Sequence, residues 1–220
     1  MSFAAANCDG VLSDDWWSQG TGRAGSGSGE VGRFAPSGAR GSAFVTVSAR
    51  EALLRRFRWV GGHADVWPVF RDGDAFGVVV RALVEPFRGK GITAVCGIES
   101  RGFLLGGAAA VELGVGFVAV RKGAGMFPGE KLVRRAEPDY RGLRHSLRVQ
   151  RASLGPADRV LLVDDWIETG SQARAVRELV EAAGARLIGC AVLVDQLRPG
   201  SPVPPGRLHS LVTGEELPAT

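Results

Sequence analysis

Cysteine is scarce and unsuited to any covalent or metal framework. Cys8, Cys96 and Cys190 stand far apart, are odd in number, and form no C-x-x-C pair. That speaks against a disulfide scaffold or a zinc site and makes a reducing, cytoplasmic compartment the expectation. No apolar run approaches the ~20 residues that cross a bilayer, so no membrane partner is expected. The opening MSFAAANCDG lacks a basic segment followed by an apolar one, and no secretory signal is expected. Long basic runs and basic–aromatic interleaving are also missing, and a net charge of +4 is too mild to indicate nucleic acid. No repeat at solenoid periods is seen.

What is present fits one domain of ordinary size: 220 residues, 45% of them hydrophobic, enough for a real core. Arginine dominates lysine, which suits fork-like recognition of phosphate or carboxylate. Residues 1–47 differ from the rest. GTGRAGSGSGEVGRFAPSGARGS has no hydrophobic period and cannot bury enough apolar surface to offset its ordering, so a disordered extension is expected. Trp16 and Trp17 are the exceptions within it.

The domain is expected to run from 48 to 220. SARE, residues 48–51, fits a capping box with Ser48 as N-cap and Glu51 three residues on, opening a short helix to about Phe57. HADVWPVFRDGD, 63–74, reads as a loop or short extended piece broken by Pro68 and Gly73. Phe76, Val79, Val80, Leu83 and Phe87 then fall at helical spacing. After them strands and helices alternate. ITAVCGI (92–98), GFVAV (116–120), VLLVD (160–164) and LIGCAVLV (187–194) read as strands, and 103–113 and 173–183 as helices closed by Gly114 and Gly184. A short edge strand is expected around 208–212. Continuous apolar strands alternating with helices predict an α/β fold, a parallel sheet covered on both faces.

The stretch VLLVDDWIETGSQA, 160–173, carries the chemistry. An apolar strand delivers Asp164 and Asp165 to the edge where a parallel sheet binds ligands. The TGSQA that follows opens a helix, whose first N–H groups have no partners and whose dipole favours an anion. Acids for sugar hydroxyls or Mg²⁺ therefore stand beside a cradle for one phosphate. A strand, turn and capped helix with flanking acids is the plainer reading; the whole pattern together favours a phosphorylated sugar.

This stretch resembles the motif that binds 5-phosphoribosyl 1-pyrophosphate (PRPP) in the type I phosphoribosyltransferases. The rest is most similar to their adenine branch: GIESRGFLLGGAAAVELGVGFVAVRK (97–122), FPGE (127–130), SLRVQRASLGPADRV (146–160) and PVPPGRLHSLV (202–212) occur in order, and VFRD (69–72) resembles the hood segment that contacts the base. The similarity covers about residues 50–217. It implies a doubly wound type I phosphoribosyltransferase fold with a small hood at about 59–73 and a mobile lid at about 123–145.

The resemblance also implies roles. PRPP would be held by Asp164, Asp165, Thr169, Gly170, Ser171, Gln172 and Ala173, with Ser100, Arg101, Arg121 and Lys122 on its pyrophosphate. Mg²⁺ would come with PRPP, near the two aspartates, with no dedicated protein metal site. The base would lie at Val69, Phe70 and Arg71, with Phe70 stacking. The lid pair Asp139–Tyr140 would assist the purine proton. Two departures stand out. The branch's A-T-G-G-T pattern is here E-T-G-S-Q, so Gln172 replaces a hydroxyl and Glu168 replaces a small residue. In the similar 6-oxopurine branch a carboxylate at this position contacts N7 of the base and can take its proton, so Glu168 ranks ahead of Asp139 as acid–base candidate; a surface glutamate at a helix start is the competing reading. Trp166 could pack beside the base or fill the core. Where the similar 6-oxopurine branch has a lysine that reads the base oxygen, this chain has Asp195, an acceptor, which disfavours a 6-oxo group. The expectation is an enzyme transferring phosphoribosyl from PRPP to adenine or a related purine-like base, as a homodimer. The alternative is a PRPP-binding regulator without turnover.

Overall fold

The computed structural model describes residues 47–123, 128–137, 144–197 and 207–219. All of 1–46, the lid pair Asp139–Tyr140, and the stretches 124–127 and 198–206 lie outside the described residues.

Helix α1 (Ala49–Arg56) starts as its sequence predicts: Ser48 Oγ accepts the Glu51 N–H at 3.1 Å. The Glu51 carboxylate, however, pairs with Arg55 one turn on rather than completing the box. Strands β1 (Arg58–Val60) and β2 (His63–Asp65) form a hairpin. Its tip, Gly61–Gly62, has φ of 55° and 75°, the left-handed pair that a tight hairpin turn needs. Residues 63–74 are more ordered than a loop. Beyond β2 they hold a short helix, α2 (Trp67–Arg71), with Pro68 in the first turn, where a missing N–H costs nothing. Asp72 then caps α3 (Gly73–Val84) by accepting the Ala75 N–H at 2.9 Å, so Gly73 begins a helix instead of breaking one.

The main sheet follows: β3 (Ala94–Ile98), α4 (Arg101–Leu113), β4 (Gly116–Lys122), β5 (Lys131–Arg135), β6 (Ser146–Gln150), β7 (Arg159–Ile167), α5 (Ser171–Ala182), β8 (Arg186–Asp195) and β9 (Arg207–Thr213). Spatial order is β5-β6-β4-β3-β7-β8-β9. The five strands from β4 to β9 are parallel; β5 and β6 join antiparallel beside β4. Residues 123–145, expected to be lid alone, therefore include β5, which Leu132 and Val133 pair to β6 across Val149 and Arg148.

Alternation along β7 explains the two covered faces. Leu161 and Val163 pack with Leu53, Phe57 and Leu83 beneath the helices α1, α3 and α4. Val160 and Leu162 pack with Val176 and Leu179 of α5 on the other side. Every residue from 160 to 163 is buried, as expected for a central parallel strand.

Candidate active site

Strand β7 does not stop at its acids. It runs through them to Ile167, with Trp166 opposite Val194 of β8. Trp166 packs in the same layer as Leu161 and Val163, and Ile167 in the opposite one. Strict alternation therefore slips across Asp164–Asp165, where both carboxylates meet a cavity of about 650 Å³. The cavity lies at the carboxyl ends of β3, β4, β7 and β8, the edge where doubly wound sheets take ligands.

Two helix starts face it. The loop after β3 leads through the cis peptide Glu99–Ser100 into α4, and the loop after β7 leads through Gly170 (φ 70°) into α5. No N-cap side chain bonds either helix start; Phe103 N–H turns back to the Ser100 carbonyl and Ser171 N–H to Thr169 Oγ1, and the other first-turn N–H groups are the ones suited to an anion. The first helix start is set by close packing. A Cβ on Gly97 would lie 1.9 Å from the Gly102 carbonyl oxygen, and one on Gly102 would lie 2.8 Å from Asp164 Oδ1. Only glycine lets α4 approach β3 and the aspartate this closely.

The charged groups are interlocked. Asp165 is 7% exposed, and its Oδ2 lies 3.0 Å from Arg101 Nη2. That ion pair lacks hydrogen-bond alignment, leaving Oδ2 a buried acceptor without a hydrogen-bond partner. Asp164 Oδ1 accepts the Asp165 N–H at 2.9 Å. Burial, and then the adjacent Asp165 charge, push the Asp164 carboxyl well above the ordinary range, although Lys122 opposes this. Burial would also raise Glu99. There the Arg121 guanidinium at 3.2 Å and the Lys122 N–H at 3.0 Å prevail and hold it below the usual range. In the second loop, Thr169 Oγ1 donates to Ser171 Oγ at 3.0 Å and accepts the Ser171 N–H at 3.3 Å. Cys190 reaches the cavity, but its thiol, like that of Cys96, is buried and raised, that of Cys96 to about 12. Neither thiol is a nucleophile at neutral pH.

Of the residues singled out from the sequence, Asp164, Asp165, Glu168, Thr169, Gly170, Gln172, Ala173, Ser100, Arg101 and Lys122 line this one cavity. Two stand behind it. Ser171 is buried and supports Thr169, and Arg121 is turned to Glu99. The hood segment is placed elsewhere. Helix α2 draws Val69 fully into the core and packs Phe70 against Trp67 and Phe76, at 5.5 and 5.6 Å between ring centroids. Phe70 and Arg71 line a separate hollow of about 490 Å³ with Trp67. The base contacts inferred at 69–71 are therefore not brought to this cavity. Instead Trp59 of the hairpin, Trp166, His63, His145 and Gln196 line it. Trp166 was singled out by itself, Trp59 and His63 fall within the hood expected at about 59–73, and His145 ends the expected lid; Gln196 carried no sequence signal.

A parallel sheet that presents two helix starts and an acid pair to one cavity defines a protein that handles a phosphorylated sugar. The comparisons make this specific. The phosphoribosyl transferase domain family matches residues 75–205. Adenine phosphoribosyltransferase from Methylococcus capsulatus is 42% identical over 150 residues, covering 67% of this chain and 86% of the relative. The crystal structure of the Giardia lamblia enzyme complexed with 9-deazaadenine superposes with a TM-score of 0.68 at 34% identity, covering 76% of this chain and 98% of that one. For adenine phosphoribosyltransferase from Rhodothermus marinus the TM-score is 0.64 at 36% identity, covering 75% and 98%. The chain belongs to the type I phosphoribosyltransferases, in their adenine branch.

Proposed function

We propose that this chain transfers the 5-phosphoribosyl group of PRPP to adenine, giving AMP and pyrophosphate. The observation that carries the reading is the pair of helix starts flanking Asp164–Asp165 in a single cavity. The loop at 169–173 suits the 5-phosphate, and Ser100, Arg101 and Lys122 suit the pyrophosphate. Asp164 and Asp165 suit the ribose hydroxyls. The relatives reported above are named as transferases, which favours turnover over a regulator without it.

Mg²⁺ is proposed to arrive with PRPP. Among the described residues no cluster of three or more His, Cys, Asp or Glu could hold a metal by itself. Two carboxylates, one with a buried acceptor lacking a hydrogen-bond partner, fit an ion that keeps its waters and its phosphate ligands. When bound, it would neutralise charge on the departing pyrophosphate. A homodimer in the cytoplasm completes the proposal, from family resemblance.

In the reaction the C1′–O bond to pyrophosphate breaks and a base nitrogen bonds C1′ from the opposite face, losing its proton. The protein positions the partners and balances charge. Glu168, half-buried and lining the cavity, suits the role of acceptor for that proton. Pyrophosphate release from Mg²⁺–PRPP, measured with adenine, hypoxanthine, guanine and xanthine, tests the reading. Adenine should be the preferred acceptor, and Glu168→Ala should lower kcat by about 10²-fold. Absence of turnover with all four bases, with PRPP bound tightly, would refute it.

A further inference from the structure

We propose that Trp166 and Gln196 form the base-reading end of the cavity, Trp166 offering ring surface and the Gln196 amide nitrogen donating to an unprotonated ring nitrogen of the base. The inference rests on phosphoribosyl transfer for the position of the leaving group. Sheet order then does the rest. Lys122 and Arg101 stand at the β4 and β3 ends, Asp164 and Asp165 on β7, and Gln196 just past β8. With pyrophosphate on the β3–β4 side and ribose over β7, a nucleophile entering opposite the leaving group comes from the β8 side. That is where Trp166 and Gln196 lie.

The chemistry of that end fits a heteroaromatic ring. Trp59 and Trp166 pack edge to face at 6.4 Å. Both indole N–H groups are already used, Trp59 donating to the Pro218 carbonyl at 2.8 Å and Trp166 to Gln196 Oε1 at 3.0 Å. What the two indoles offer the cavity is therefore apolar ring surface, from which a planar base gains and a ribose phosphate does not.

The indole also settles which way the amide faces. An N–H can be accepted only by Oε1, so the Gln196 amide is held with its NH₂ as the remaining donor. Its backbone is fixed as well, its N–H donating to the Ile167 carbonyl at 2.8 Å. Gly214 leaves the space for its stem, since a Cβ there would lie 2.9 Å from Gln196 Cγ. A glutamine at a cavity rim thus behaves as an oriented donor.

The test is equilibrium binding of AMP and of ribose 5-phosphate to the full chain, so that the ratio of the two affinities isolates the base and needs no turnover. Gln196→Leu should reduce the ratio about tenfold while leaving ribose 5-phosphate affinity unchanged. Gln196→Glu can still accept from Trp166 but cannot donate, and it should lose as much. Trp166→Phe, which keeps a ring but frees the amide, should give a smaller loss. A ratio within twofold of wild type in Gln196→Leu, or equal weakening of both ligands, would overturn the proposal. So would a Gln196→Glu variant that matches wild type. Failure of adenine turnover in the wild type, with the ratio still dependent on Gln196, would count against the transferase reading and not against this site.

Discussion

Asp164 is a residue whose protonation the fold resists changing. Its carboxyl is raised in the folded chain, so the unliganded protein loses stability as pH rises from the ordinary carboxylate value of 3.8 toward the folded one. Asp164→Asn should therefore melt at a higher temperature than wild type at pH 7, with the difference shrinking as pH falls and lost only well below the ordinary carboxylate value, where both folded and unfolded carboxyls are protonated. The same variant should lose between about tenfold and a hundredfold in kcat/KM for PRPP, the worth of a charge-assisted hydrogen bond. Melting curves across pH, beside PRPP kinetics, check both halves; a variant less stable at pH 7 would contradict the assignment. Arg101 behaves oppositely. Arg101→Gln leaves the buried Asp165 without its cation and should cost about 1–3 kcal/mol, less than a fully buried pair because the guanidinium is about one-third exposed. Urea denaturation measures that loss. These residues were legible in the sequence because they are contiguous with the strand-to-helix turns that present them. Trp59 and His63 were legible only as part of the expected hood and His145 as the end of the expected lid, and Gln196 was not legible, because it reaches the cavity from beyond β8 with no local pattern to mark it.

At the scale of elements, the site depends on how tightly α4 sits on β3. Gly97→Ala would drive a Cβ to 1.9 Å from the Gly102 backbone oxygen, and backbone cannot rotate away. The expected outcome is a loss of about 1–3 kcal/mol or more, with a higher KM for PRPP because the helix start that cradles pyrophosphate must move. Unchanged stability and KM would show that the close approach is dispensable. The elements whose apolar period is long, α3 and the four central strands, were legible from pattern alone. Helix α2 was not. Its five residues are too few to show a period, and Pro68 and Gly73 read as breakers, although one occupies a first helical turn and the other follows the capping Asp72. Strand β5 was hidden for a related reason: KLVRR is charged at an exposed edge, with alternate residues facing solvent. The consequence for the hood is direct. With α2 formed, Val69 is drawn into the core and Phe70 packs against Trp67 and Phe76.

Among the described residues a parallel sheet carries a cavity with a cationic end at β3–β4, an acidic middle on β7, and an aromatic end toward β8. That order matches the order of groups in the proposed reaction: pyrophosphate, ribose, base. No helix among the described residues is long and apolar enough to cross a membrane. The central claim is phosphoribosyl transfer to adenine, and its most direct measurement is product identification. Full-length protein is incubated with Mg²⁺, PRPP and adenine, and AMP is quantified by mass spectrometry beside released pyrophosphate. The account predicts AMP and pyrophosphate in equal amounts, dependent on both substrates. Pyrophosphate without AMP, or neither product despite bound PRPP, would contradict it.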